Sequence, residues 1–96
     1  NVPVMEIEQL MYRHPAVQEV AIVGVPDERL GERACACVVL REGALLTLTD
    51  LMAYMAENAV AKNYWPERIE VLDALPMTAS GKVQKFRLRE IVSSMK

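Results

Sequence analysis

The sequence predicts an α+β domain, a small sheet of about three strands packed by helices. Three features predict it. The chain has 96 residues, of which 52% are hydrophobic and 25% charged, the length and balance of one globular domain rather than a disordered segment. Apolar residues recur at helical spacing near the start, in the middle and at the end. Between these stretches lie short runs of Val, Ile, Ala and Cys bounded by Gly, Pro and Asp, the pattern of buried strands.

The first helix starts near Pro3, which suits a first turn, with Glu6 and Glu8 near the positive end of its dipole. Val4, Ile7, Leu10 and Met11 form its apolar side, and Pro15 ends it, holding His14 extended. His14 is a possible catalytic residue, but no acid or nucleophile lies near it in sequence; packing or capping of the helix end is favoured. Val17–Val25 reads as a strand ending in the turn signal Gly24-Val25-Pro26-Asp27, and Arg33–Leu40 as a second strand paired with it. The charged connector Asp27–Glu32 between them reads as a solvated loop, and a loop at a domain interface would look the same. After the turn Arg41–Ala44, Thr47 and Asp50 make a shortened capping box, and Leu48, Leu51, Met52, Met55 and Ala59 give one apolar stripe. Lys62–Arg68 breaks this helix and sets Tyr64 and Trp65 beside Lys62 and Arg68. That segment reads either as a stacking platform for a nucleotide or as an amphipathic pin between helix and strand, and the pin is favoured. Ile69–Leu72 is the third strand, and Leu88, Ile91, Val92 and Met95 mark the last helix, with Lys85, Arg87 and Arg89 clustered at its start.

A net charge of −2 leaves no nucleic-acid or membrane-surface footprint, and no apolar run has membrane-spanning length. No signal-peptide pattern is present. The chain opens at Asn1 without Met and enters a helical pattern almost at once, so a piece of a longer protein is expected. Cys35 and Cys37, two apart on a strand, share one face and read as reduced, half-buried core thiols. With a single His and no second Cys pair, a metal site is not expected, and a reducing, cytoplasmic home fits.

One stretch fits neither core nor simple connection: Leu75-Pro76-Met77-Thr78-Ala79-Ser80-Gly81-Lys82-Val83. Pro76 blocks helix, Ser80 and Gly81 permit a tight turn, and Lys82 carries a compact positive charge. Ser80-Gly81-Lys82 first suggests a phosphate-binding loop. The Walker pattern fails, because Pro76 stands where its first Gly belongs and Val83 where Ser or Thr must follow the lysine. On physics alone Lys82 is a solvated surface lysine, or a single charge useful only if something else holds the phosphates.

Asn1-Val2-Pro3-Val4-Met5-Glu6-Ile7-Glu8, His14-Pro15-Ala16-Val17, Val23-Gly24-Val25-Pro26-Asp27 with Gly31-Glu32, Leu75-Pro76, Thr78–Val83 and Arg87-Leu88-Arg89 follow one another in an order and spacing that resembles the C-terminal domain of the adenylate-forming enzymes. These are the AMP-dependent acyl-CoA synthetases, the nonribosomal adenylation domains and the luciferases. The resemblance runs from Asn1 to Arg89, and the wording around Pro66-Glu67-Arg68 and Asp73–Pro76 is most similar to acyl-CoA synthetases of short, medium or cyclic carboxylates. It implies that residues 1–96 are the mobile lid of an AMP-forming ligase whose N-terminal adenylation core, with the hinge, lies upstream of Asn1. ATP, CoA and Mg²⁺ are implied as reactants and cofactor, held mainly by that core, with a carboxylic acid as substrate. Lys82 is implied as the catalytic lysine of adenylation, flanked by Ser80 and Gly81. Trp65 and Arg68 are implied as contacts to the CoA nucleotide, although the family's Tyr-Lys-x-Pro element is here Asn63-Tyr64-Trp65-Pro66 with Lys62 shifted earlier. The family's control by lysine acylation extends the expectation to an acetyltransferase and deacylase acting on Lys82. An adenylation domain loading a carrier protein, and a non-catalytic interaction module, are the alternatives. On the leading reading the isolated chain is inactive.

Overall fold

The structure, a computed structural model, describes residues 3–95. Asn1 and Val2, the first residues of the motif quoted above, lie outside the described residues. Helix α1 (Val4–Tyr12) leads into strands β1 (Val17–Asp27) and β2 (Gly31–Leu40), then helix α2 (Leu48–Glu57), a 3-10 turn over Lys62–Tyr64, strand β3 (Arg68–Val71) and helix α3 (Lys85–Ser93). The sheet has three strands in the order β1-β2-β3, with β1 antiparallel and β3 parallel to β2. The expected α+β class is what forms; the mixed sheet arises because α2 is the crossover that returns the chain parallel to β2.

Both faces of the sheet are buried, which is why β1 and β2 read as almost continuous apolar runs. One face offers Val20, Ile22, Ala36 and Val38 to Ile7, Leu10 and Met11 of α1 and to Leu51 and Met55 of α2. The other offers Ala21, Val23, Val25, Cys35, Cys37 and Val39 to Leu75 and to Leu88 and Val92 of α3. Cys35 and Cys37 are therefore fully rather than half buried, free thiols with sulfurs 3.9 Å apart. Contact with the Cys35 sulfur, together with burial, pushes the Cys37 thiol pKa up and keeps it protonated.

Local chemistry differs from expectation at several ends. The Asp27–Glu32 connector is mostly ladder: pairing continues to Asp27 opposite Gly31, and only Glu28–Leu30 form the turn. Asp27 Oδ1 accepts the N–H groups of Arg29 and Leu30, both at 2.9 Å, closing that turn. Pro26 is tolerated within β1 because that strand is a sheet edge. Strand β3 begins at Arg68, one residue early, and α3 begins at Lys85. Ile91 is exposed and Met95 lies past the helix, so Leu88 and Val92 alone carry its buried side. In α2, Met52 is exposed and the buried pair is Leu51 and Met55.

Ala59 is not part of the α2 stripe. It lies beyond the helix at φ 59°, the one non-glycine residue with positive φ among the described residues. Its N–H donates to Ala56 O at 3.1 Å and the Val60 N–H to Met55 O at 3.0 Å. Those paired bonds are a Schellman termination, with alanine where glycine is usual, and Val60 packs on the first core, the apolar contact that often accompanies the motif. At the other end the capping box forms: Thr47 Oγ1 accepts from Asp50 N–H at 3.1 Å, and Asp50 Oδ2 from Thr47 N–H at 3.0 Å.

Two tests follow. Ala59→Gly relieves the left-handed alanine and is expected to stabilise the domain by about 0.5–1 kcal/mol in urea unfolding; a destabilised variant is the contrary result. The Thr47 N–H and hydroxyl hold the Asp50 carboxyl below its ordinary value of 3.8. A carboxyl lowered on folding stabilises above pH 3.8, and that contribution is lost as pH falls further, through the folded value. Asp50→Asn should therefore flatten the acid limb of the stability–pH curve between about pH 5 and pH 2.

Candidate functional site

The Leu75–Val83 stretch is a tight hairpin-like loop standing off the second face of the sheet. Its base is a short antiparallel bridge between Met77 and Val83, reinforced by the Gln84 N–H donating to Pro76 O at 2.8 Å. Leu75, only 5% exposed, roots one side in the core, and Val83 packs on the same cluster. The tip is built around Thr78. Its N–H donates to Lys82 O at 2.7 Å and its carbonyl accepts from Gly81 N–H at 3.0 Å. Its hydroxyl accepts from Lys82 N–H at 3.1 Å and pairs with Ser80 Oγ at 3.0 Å. Gly81 takes φ 91°, a region in which a side chain is strained, although a Cβ there would meet open space. The glycine is needed for backbone conformation, not for room.

The result is a fixed backbone carrying a free charge. Lys82 is exposed, and among the described residues no carboxylate lies within ion-pairing distance of its ammonium. An ammonium held by its backbone and unsatisfied at its tip is suited to meet oxygen anions supplied from outside the domain. Ser80 and Gly81 sit beside it as turn residues, with the Ser80 hydroxyl occupied by Thr78. Thr78 itself was not singled out from sequence. The signal was there, a Thr four residues before the lysine in a Ser-Gly turn, of the kind in which hydroxyls close turns.

The other candidates lie elsewhere. Trp65 packs on the opposite core cluster, beneath the α1–α2 face, and its Nε1–H donates to Val60 O at 2.8 Å. It thus acts as the pin between the end of α2 and β3, while one side of it lines a hollow of about 260 Å³ with Val4, Gly24, Glu32 and Glu67. Arg68 starts β3 with its Nε 2.7 Å from Glu70 Oε2, so its guanidinium already has a carboxylate partner. The structure does not bring Trp65 to the Lys82 loop. His14 is structural: its Nδ1 accepts the Ala16 N–H at 3.0 Å, and its ring meets Tyr54 edge-on at 4.7 Å. Among the described residues, no group of three or more His, Cys, Asp or Glu is placed to hold a metal ion, and no helix is long and apolar enough to cross a membrane.

Comparison with known proteins points in one direction. The family described as AMP-binding enzyme C-terminal domain matches residues 6–82. The medium-chain fatty-acid–CoA ligase of Escherichia coli (strain K12) is 43% identical over 91 residues, which cover 94% of this chain and 16% of that protein. A mitochondrial medium-chain acyl-CoA ligase of Bos taurus is 41% identical over 90 residues, covering 94% of this chain and 14% of the relative. The chain thus spans about a sixth of the length of the relatives it matches. Among solved structures, ATP-bound MatB from Rhodopseudomonas palustris superposes with a TM-score of 0.88 at 34% identity, over 98% of this chain and 18% of that one. An acyl-CoA synthetase of Brucella canis gives a TM-score of 0.80 at 35% identity, over 92% of this chain and 17% of that one.

The loop's geometry makes a prediction independent of any activity. Gly81→Ala forces an alanine to φ 91° and should cost about 1 kcal/mol or more in urea unfolding. Wild-type stability in that variant would mean that the loop relaxes to another turn.

Proposed function

Because the chain belongs to the AMP-binding enzyme C-terminal domain family, we propose that it is the mobile C-terminal domain of an AMP-forming acyl-CoA synthetase, and that Lys82 is the residue it contributes to the chemistry. The observation that carries this reading is the Thr78-centred hairpin, which presents one exposed, uncommitted ammonium on a fixed backbone. In the reaction a carboxylate oxygen attacks the α-phosphorus of ATP, pyrophosphate leaves, and an acyl-adenylate forms. Two anions must meet. Lys82, lying between the carboxylate and the α-phosphate oxygens, offsets their repulsion and orients them. The thiol of CoA then attacks the acyl carbonyl and AMP departs. Lys82 has no task in that second step, so the domain rotates about a hinge and withdraws it.

The partner for both steps is the protein's own N-terminal adenylation domain, which on this reading binds the carboxylic acid and ATP. Mg²⁺ is assigned to that domain too. CoA as acceptor, rather than a carrier protein, is supported by the names of the relatives, and so is an acyl group of medium chain length. Trp65 and Arg68 are proposed as contacts to the CoA nucleotide, Trp65 through the hollow it lines. The free thiols of Cys35 and Cys37 suit a reducing compartment, the cytoplasm on this reading. An exposed lysine on which adenylation depends is also open to an acetyltransferase and a deacylase, and acylation would remove the charge.

In the full-length ligase, Lys82→Ala is expected to slow ATP–pyrophosphate exchange by roughly two to three powers of ten, while thioester formation from supplied acyl-adenylate stays near wild type. Exchange at the wild-type rate would refute the role given to Lys82. Mass analysis of the product formed with free CoA distinguishes a CoA ligase from a carrier-loading enzyme.

A further inference from the structure

Glu8 has no part in the reaction described above, yet its carboxylate joins three elements. Glu8 Oε2 accepts the N–H of Ile22 at 2.8 Å and stands 2.8 Å from Nζ of Lys85. Glu8 belongs to α1, Ile22 to β1, and Lys85 is the first residue of α3. Helix α1 covers one face of the sheet and α3 the other. The Glu8–Lys85 bridge therefore passes round the free edge of β1 and ties the two layers together. Glu8 is well sheltered, with its side chain 17% exposed, and Lys85 is partly so at 44%.

Lys85 occupies a place that its own helix disfavours. The first turn of a helix carries positive partial charge, Gln84 supplies no side-chain cap, and α3 has no acidic residue in its first turn. Glu8 supplies the missing negative charge from another element. The position matters because Lys85 lies only three residues beyond Lys82, across a tethered base where Val83 bridges Met77 and Gln84 is bonded to Pro76. A shift of Lys85 is passed to the loop through that base. The loop thus has an apolar root at Leu75 and an ionic root at Lys85.

We propose that Glu8 and Lys85 are a positioning pair that sets the direction in which the Lys82 loop projects. They act through Lys82 and touch no substrate. The internal bonds of Thr78 fix the loop's shape; the ion pair fixes its aim. This inference rests on the adenylation role proposed for Lys82. Aim matters because a misplacement of about 1 Å in a reacting geometry costs on the order of a hundredfold in rate.

The test uses the full-length ligase, assaying ATP–pyrophosphate exchange and, separately, thioester formation from supplied acyl-adenylate. Lys85→Met should lower the exchange kcat about tenfold, a smaller loss than that of Lys82→Ala because the lysine remains but is misdirected. The KM for ATP and the thioester half-reaction should not change, and Lys85→Arg should restore exchange. Glu8→Gln keeps an acceptor for the Ile22 N–H but loses the charge, so it should show part of the same defect. The Glu8→Gln/Lys85→Met double variant should be no worse than Lys85→Met alone, as coupled residues require. Arg89→Gln breaks the other α3 ion pair, 3.6 Å to Glu32, and should leave exchange unchanged. Wild-type exchange in Lys85→Met, defects that multiply in the double variant, an equal defect in Arg89→Gln, or a fall in both half-reactions together would each overturn the proposal while Lys82→Ala still slowed exchange as expected. Wild-type exchange in Lys82→Ala would instead remove the reading on which it rests, and the positioning role with it.

Discussion

Strand β2 is paired along both edges, antiparallel to β1 and parallel to β3, and from Cys35 to Val38 its side chains are out of reach of water. That double burial is the constraint on which the other elements depend. A strand covered on one face needs one helical layer; this one needs two. Helices α1 and α2 close one side, and α3 with the base of the Lys82 loop closes the other. The loop is thus not an appendage. Leu75, at its root, is part of the layer that keeps Cys35 and Cys37 dry, so the packing that stabilises the sheet also decides where the lysine emerges.

The layers are joined by polar contacts at places where apolar packing alone would leave backbone groups unmet. Tyr54 donates its hydroxyl to Leu10 O at 2.8 Å, binding α2 to α1, and Trp65 does the same for Val60 O with its indole N–H. Glu8 meets the outward N–H of Ile22 on the β1 edge. No polar or charged side chain is fully buried among the described residues, so each of these groups sits at the margin of the core, where a hydrogen bond is formed without a full desolvation cost. The margin is also where the domain must be rigid if it is to carry one charged group to a partner surface.

How far the sequence could be read follows from which interactions are local. The capping box at Thr47 and Asp50 was legible because both partners lie within one turn. The paired runs of β1 and β2 were legible because a strand buried on both faces has no polar alternation to hide it. The structural use of His14 was legible because no acid or nucleophile lies near it in sequence. Lys82 was legible as an odd residue on a turn, while the chemistry proposed for it rests on the ordered motifs around it. What was not legible depends on distance. Nothing in the spacing of Glu8 and Lys85, 77 residues apart, announces their ion pair, and Glu8 read simply as a residue near a helix start. Ala59 read as apolar stripe because periodicity counts side chains and is blind to the sign of φ. The parallel sense of β3 is likewise set by how α2 crosses the sheet.

The Lys82 loop makes nearly all of its shape-giving contacts with itself. Every hydrogen bond that folds it lies between Pro76 and Gln84. Its shape is therefore self-contained: substitutions on the exposed surfaces of α2 or the β1–β2 turn, away from Leu75 and Glu8, can drift without altering how the lysine is held. The same small unit can therefore be kept unchanged while the other surfaces of the domain diverge.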